Sequence, residues 1–151
     1  MKKFIPFGEN ELNSIQIKSA LKHTKNFNGV YSKDILQIDL KNGWYIVNLD
    51  DHNFSGTHWV CFYYDENNGN IYYFDSFGFG PPNEIMQKCK NMLYYNNKQI
   101  QHLSSSSCGF YCLALIKTND FENFLNEFTN VPLINEYKLE NILKTLYLYF
   151  I

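Results

Sequence analysis

The chain has 151 residues, is 45% apolar and 18% aromatic, and carries a net charge of −2 at neutral pH. Those values suit one domain, residues 1–151, with a substantial core, and they exclude intrinsic disorder. No apolar run is long enough to cross a bilayer, and residues 1–6 lack the apolar stretch of a signal peptide. Four irregularly spaced cysteines do not make a disulfide framework, so an unsecreted protein of a reducing compartment, with no membrane partner, is expected. The thirteen basic residues are all lysine, which removes the bidentate guanidinium fork that grips phosphate. Alanine occurs only at Ala20 and Ala114, while Asn, Tyr, Ile and Phe are abundant. These favoured residues have A/T-rich codons, so the bias reads as genomic and points to a viral or mobile-element source.

Residues 1–10 read as irregular, broken by Pro6 and Gly8. From Asn10 to Lys25 the positions of Leu12, Ile15, Ala20 and Leu21 predict an amphipathic helix with Lys18, Lys22 and Lys25 on an exposed face. Asn26–Gly29 ends it, and Val30–Leu36 reads equally as a short helix or a loop. Trp44–Leu49 is a β-rich strand closed by the turn-like run Asp50–Asn53. His58–Tyr64 is continuously apolar or aromatic, as a strand buried on both faces would be. Asp65–Asn70 is a hairpin turn, and Ile71–Asp75 returns antiparallel. Pro82 suits a helix start, and Ile85, Met86, Cys89, Met92 and Leu93 have helical spacing. Lys98–Leu103 reads as a further strand, and Phe121–Phe128 and Tyr137–Phe150 as helices separated at Pro132. The expected architecture is α+β: a central, mostly antiparallel sheet flanked by helices.

The stretch Ser104–Ile116 carries the chemistry. Serine is a good N-cap, and it places Cys108 at the start of an apolar helix, where the partial positive charge of the helix end favours a thiolate. Gly109 permits a close backbone approach, as an oxyanion site needs. A lone cysteine in such a helix is ordinarily a buried apolar filler, so the reading depends on partners. A thiolate nucleophile needs a base, and the base an orienting acceptor. The hairpin puts His58, at the start of one strand, beside Asp75, at the end of the next. An aspartate closing an aromatic run is costly to bury without hydrogen bonds. Gln101, seven residues before Cys108, can donate an amide proton to an oxyanion. His52, in a turn, and His102 rival His58 as base, but neither has an acid at a paired strand end.

The ordered set Gly56-Thr57-His58-Trp59-Val60, Tyr73-Phe74-Asp75-Ser76-Phe77-Gly78 and Gln101 through Cys108-Gly109-Phe110-Tyr111-Cys112 resembles the cysteine peptidases that include adenovirus maturation protease and the SUMO proteases. The His58–Asp75 and Gln101–Cys108 separations, and Phe27-Asn28-Gly29-Val30 upstream, are similar to the adenovirus branch. Closest in character are the capsid-maturation proteases of virophages and Maverick/Polinton elements. The resemblance covers roughly residues 27–116.

That resemblance implies Cys108 as nucleophile, His58 as general base, Asp75 as its orienter, and Gln101 with the Cys108 amide as oxyanion donors. Trp59 would wall the site, with Gly78 and Gly109 beside the substrate. Asp75 stands where the adenovirus enzymes have glutamate and the SUMO proteases aspartate. The family implies a thioester mechanism, viral capsid or other structural precursor proteins as substrates, cleavage after glycine, and location in the virion, host cytoplasm or virus factory. Removal of a ubiquitin-like modifier is the alternative substrate class, and a catalytically idle binding module the alternative of another kind. No cofactor is expected. A zinc site from Cys61, Cys89, Cys108 and Cys112 has knuckle spacing in no pair except the helical Cys108/Cys112, so no metal is expected. A peptide activator would have Cys89 as its only anchor for a disulfide link. DNA binding is expected to be weak at most, because net charge −2 and three lysines on the first helix offer few phosphate contacts.

Overall fold

A computed structural model of the chain describes residues 11–36, 39–50 and 58–146. The opening residues 1–10, most of the turn expected at 50–53, Gly56, Thr57 and the end of the last expected helix lie outside the described residues. Helix α1 (Ser14–Leu21) is followed by strand β1 (Phe27–Ser32) and a single 3-10 turn (Lys33–Ile35). Strands β2 (Gly43–Asn48), β3 (Trp59–Asp65) and β4 (Asn70–Phe74) come next, then α2 (Asn83–Met86) and β5 (Leu93–Tyr95). The chain ends in α3 (Cys108–Thr118), α4 (Phe121–Asn126) and α5 (Pro132–Thr145).

The sheet runs β1-β2-β3-β4-β5. Its centre is antiparallel, with Asn48 opposite Trp59 and Cys61 opposite Phe74. Both edges are parallel pairs, β1 on β2 and β5 on β4. Alternate strand residues feed two cores. Trp44, Ile46, Trp59, Cys61 and Phe74 face α1, α3, α4 and α5, while Tyr45, Val47, Val60, Phe62 and Tyr73 face Leu36 and Ile85. With both faces covered, the central strands are apolar throughout, which is why they read as continuous runs. Helix α3 is buried at every position from Cys108 to Ile116, as a helix apolar on all sides must be.

Several expectations are corrected here. The first helix spans only Ser14–Leu21, capped by a reciprocal Asn13/Gln16 pair, so Lys22 is its C-cap and Lys25 lies beyond it. Phe27–Ser32 is an edge strand rather than a helix end and an undecided segment; its pairing is with β2, sixteen or so residues on, and leaves no local period. The helix expected over Ile85–Leu93 stops after one turn, because Ile71 N–H bonds the Met92 carbonyl (2.9 Å) and Asn70 Oδ1 accepts from Met92 N–H (3.0 Å), drawing Leu93–Tyr95 into the sheet. Lys98–Leu103 is not a strand; its amides at Ile100 and Gln101 both donate to the Ser76 carbonyl. The last helix begins at Pro132 rather than Tyr137, with proline in its first turn, where a missing N–H costs nothing.

Candidate active site

The β3/β4 hairpin brings His58 and Asp75 together: His58 Nε2 lies 2.8 Å from Asp75 Oδ1. Asp75 is 1% exposed, and the chain satisfies it from three sides. Phe77 N–H donates to Oδ1 at 2.8 Å, Asp75 N–H donates to Asn96 Oδ1 at 3.0 Å, and Asn96 Nδ2 returns a bond to the Asp75 carbonyl. Phe77 also stacks on the His58 ring, centroids 4.9 Å apart. Burial alone would lower the basicity of His58, but hydrogen bonds to Asp75 and to Cys108, with their charges, outweigh it and raise the pKa from 6.5 to about 9. Nε2 is committed to Asp75, so Nδ1 is the nitrogen left for the thiol. The ring is held between a carboxylate and a sulfur, and both contacts favour its protonated form.

Cys108 is the first residue of α3 and is 4% exposed. The Trp59 amide donates to its Sγ at 3.4 Å. The serine run does not cap the helix as expected: Ser107 holds the N-cap position, with φ −96° and ψ 5°, yet makes no capping bond. Its hydroxyl goes instead to Glu136 on α5, at 2.7 Å.

Gln101 is 1% exposed and fixed at both ends of its amide. Ser76 Oγ donates to Oε1 (2.5 Å), and Nε2 donates to the Ser105 carbonyl (2.9 Å). A carbonyl only accepts, so the amide cannot be turned the other way. One of the two Nε2 protons is thereby used and the second is left for another acceptor.

Residues 22–96 match the family model described as adenovirus endoprotease. A thiol protease of Acanthamoeba polyphaga mimivirus is 32% identical over 98 residues, 56% of this chain and 32% of that relative. An African swine fever virus protease has a similar structure, with TM-score 0.62 and 18% identity over 95% of this chain and 71% of that one. A SUMO protease is similar at TM-score 0.49 and 16% identity, over 91% and 79%. The chain is similar to the adenovirus endoprotease family over just under half of its length. The family match carries His58 and Asp75, whereas Gln101 and Cys108 lie beyond it. This chain spans about a third of the length of its mimivirus relative.

The other candidate residues have specific places. Trp59 is nearly buried, its Nε1 donating to the Leu12 carbonyl at 2.8 Å. A Cβ on Gly109 would lie 3.2–3.3 Å from Leu12 and Trp59 side-chain atoms, so the close approach that Gly109 allows is that of Leu12 and Trp59. Gly78 has φ +83°, and a Cβ there would sit 2.6 Å from the Lys98 carbonyl carbon. That packing by itself demands glycine. His102 turns its Nδ1 onto Ser104, and His52 lies outside the described residues. Cys112 is fully buried, and burial followed by its hydrogen bond to Cys61 pushes its thiol well above the ordinary range; it is an inert neighbour. Among the described residues no three metal-ligating side chains converge, and no helix is long and apolar enough to cross a membrane. Sequence reasoning missed Asn96, Ser76, Leu12 and Glu136. Each acts through long-range hydrogen bonds, which no spacing announces.

Proposed function

We propose that this chain is a cysteine endopeptidase that cleaves viral capsid or other structural precursor proteins after glycine. The observation that carries the reading is the His58 ring held between Asp75 and Cys108, with the Gln101 amide immobilised by Ser76 and by Ser105 just before the nucleophile. The Cys108 sulfur attacks the scissile carbonyl carbon. Negative charge gathers on the carbonyl oxygen, met by the spare Gln101 Nε2–H and the Cys108 N–H. As the C–N bond breaks, the imidazolium passes its Nδ1 proton to the departing amine, leaving a thioester on Cys108. Neutral His58 then takes a proton from water, whose oxygen attacks the thioester. The acid product leaves and the thiolate–imidazolium pair is restored. Asp75 holds the ring and stabilises its charge throughout.

Viral proteases among the relatives and the A/T-rich residue usage support a viral substrate and action in the virion or host cytoplasm. The test is a peptide library with glycine or large residues before the scissile bond, run beside ubiquitin-like conjugates. Cleavage after Gly-Gly or Gly-X-Gly is expected. Cys108→Ala should remove it and Cys112→Ala should leave most of it. Activity surviving Cys108→Ala would sink the mechanism. A preference for large residues, or for folded ubiquitin-like conjugates over peptides, would overturn the substrate assignment.

A further inference from the structure

Serine before a helix ordinarily turns its hydroxyl onto an amide of the first turn. Ser107 does not: its Oγ is turned toward α5, where it donates to Glu136 Oε1 (2.7 Å). Ser105 Oγ lies 2.8 Å from Ser107 Oγ, and with the Ser107 proton already committed, Ser105 must be the donor of that bond. The other Glu136 oxygen accepts the Tyr111 hydroxyl. Burial first, then this bond and the charge of Glu136, raise the Tyr111 pKa, so Tyr111 stays a neutral donor. Residues 107 and 111 stand one turn apart on a helix, and a single α5 carboxylate thus grips both sides of the turn that carries Cys108.

The neighbouring residue on α5 does the same for the other oxyanion donor. Asn135 is fully buried, and its Nδ2 donates to the Ile100 carbonyl at 3.1 Å. That carbonyl shares a rigid peptide plane with the Gln101 amide. Gln101 in turn bonds the Ser105 carbonyl, which closes a path from Ser76 through Gln101, Ser105 and Ser107 to Glu136.

The geometry of Ser107 gives this path a chemical meaning. Its ψ angle, 5° here, sets the plane of the peptide between residues 107 and 108, and therefore the direction of the Cys108 N–H. A Ser107 hydroxyl free to rotate would compete for the first-turn amides and draw that plane with it.

We propose that Glu136 is the positioning residue of the oxyanion site. By holding the Ser107 hydroxyl away from the helix start, it leaves the first-turn amides uncapped and aims the Cys108 N–H at the developing negative charge. The proposal rests on the reading of Cys108 as nucleophile and of its amide as oxyanion donor. The role is one of geometry: Glu136 touches neither the reacting sulfur nor the imidazole.

The test compares wild type, Glu136→Ala, Glu136→Gln and, as a control on the same helix, Glu140→Ala, whose carboxylate pairs with exposed Lys144. Three rates are read: turnover of a fluorogenic peptide, alkylation by iodoacetamide, and inhibition by a peptide aldehyde, whose hemithioacetal oxygen occupies the oxyanion position. A full oxyanion donor is worth about 10²–10³ in turnover. Glu136→Ala misdirects one rather than deleting it, so kcat should fall roughly 10- to 100-fold with KM nearly unchanged. Aldehyde affinity should weaken by a similar factor while alkylation stays at the wild-type rate. Glu136→Gln keeps an acceptor for Ser107 and offers its amide to the Tyr111 oxygen, so it should restore most of the loss. Glu140→Ala should match wild type.

Alkylation falling in step with kcat, or a changed KM at constant kcat, would reduce Glu136 to a packing group and overturn the proposal. So would failure of Glu136→Gln to rescue. Should Glu136→Ala not fold, Glu136→Asp, which draws the carboxylate back from Ser107 by one methylene and frees its hydroxyl, should show the same split between turnover and alkylation, and an unchanged kcat would overturn the proposal. Absence of Cys108-dependent turnover in wild type would overturn the proposed function and this proposal together, a result distinct from a normal wild type with an indifferent Glu136→Ala.

Discussion

Asp75→Asn is the most discriminating single change. It keeps the volume and leaves an oxygen for the Phe77 amide, but replaces the charge beside His58 Nε2. In wild type the His58 pKa is raised from 6.5 to about 9. At about 1.4 kcal/mol per unit, that is about 3 kcal/mol of preference for the imidazolium, in a side chain only 17% exposed beside a carboxylate that is 1% exposed. Part of the preference comes from Cys108 and survives the substitution, while burial, now less opposed, pulls the other way. The alkaline limb of the kcat/KM profile, near pH 9 in wild type, should therefore move down by at least about one unit. The rate at its optimum should fall about 10²- to 10⁴-fold as the ring loses its orienter.

The same charge enters folding with a definite sign. A folded-state pKa above the unfolded value stabilises the protein fully below pH 6.5, and the contribution is lost as pH rises through about 9. The melting temperature of wild type should fall between pH 6.5 and 9, and Asp75→Asn should flatten that dependence. Parallel pH profiles for the two proteins, in both activity and melting temperature, would refute the claim that Asp75 holds His58 as a cation.

Other outcomes follow from the same geometry. Gln101→Ala should lower kcat about 10²- to 10³-fold with little change in KM; a KM effect alone would make Gln101 a substrate contact. Gly78→Ala, at φ +83° with its Cβ 2.6 Å from the Lys98 carbonyl carbon, should cost at least about 2 kcal/mol from backbone strain and collision together. A changed KM at an unchanged melting temperature would instead assign Gly78 to substrate binding. Duplex DNA should bind weakly, because Lys18, Lys22 and Lys25 supply at most three phosphate contacts. The slope of log affinity against log salt should be no steeper than about −3, and a many-fold stimulation of peptide cleavage by DNA at about 150 mM salt would contradict this.

The strongest local signals in the chain proved sufficient for the contact between His58 and Asp75. Asp65–Asn70 between two aromatic runs specifies a hairpin, and a hairpin alone brings residue 58 to residue 75. The unbroken apolar run after Cys108 specifies a buried helix that begins at the cysteine. Both follow from periodicity and turn chemistry, which act over a few residues. Only the tertiary structure decided the parallel edges, since β1 and β5 are strands by virtue of partners that neither sequence neighbourhood names. It also decided the posture of Gln101, which lies in no strand and is held by Ser76 and Ser105. The serine before Cys108 reads as a cap in sequence, yet a carboxylate 29 residues away takes its hydroxyl. Propensity sets what a serine can do at a helix start; a stronger, charge-assisted acceptor delivered by another helix determines what it does.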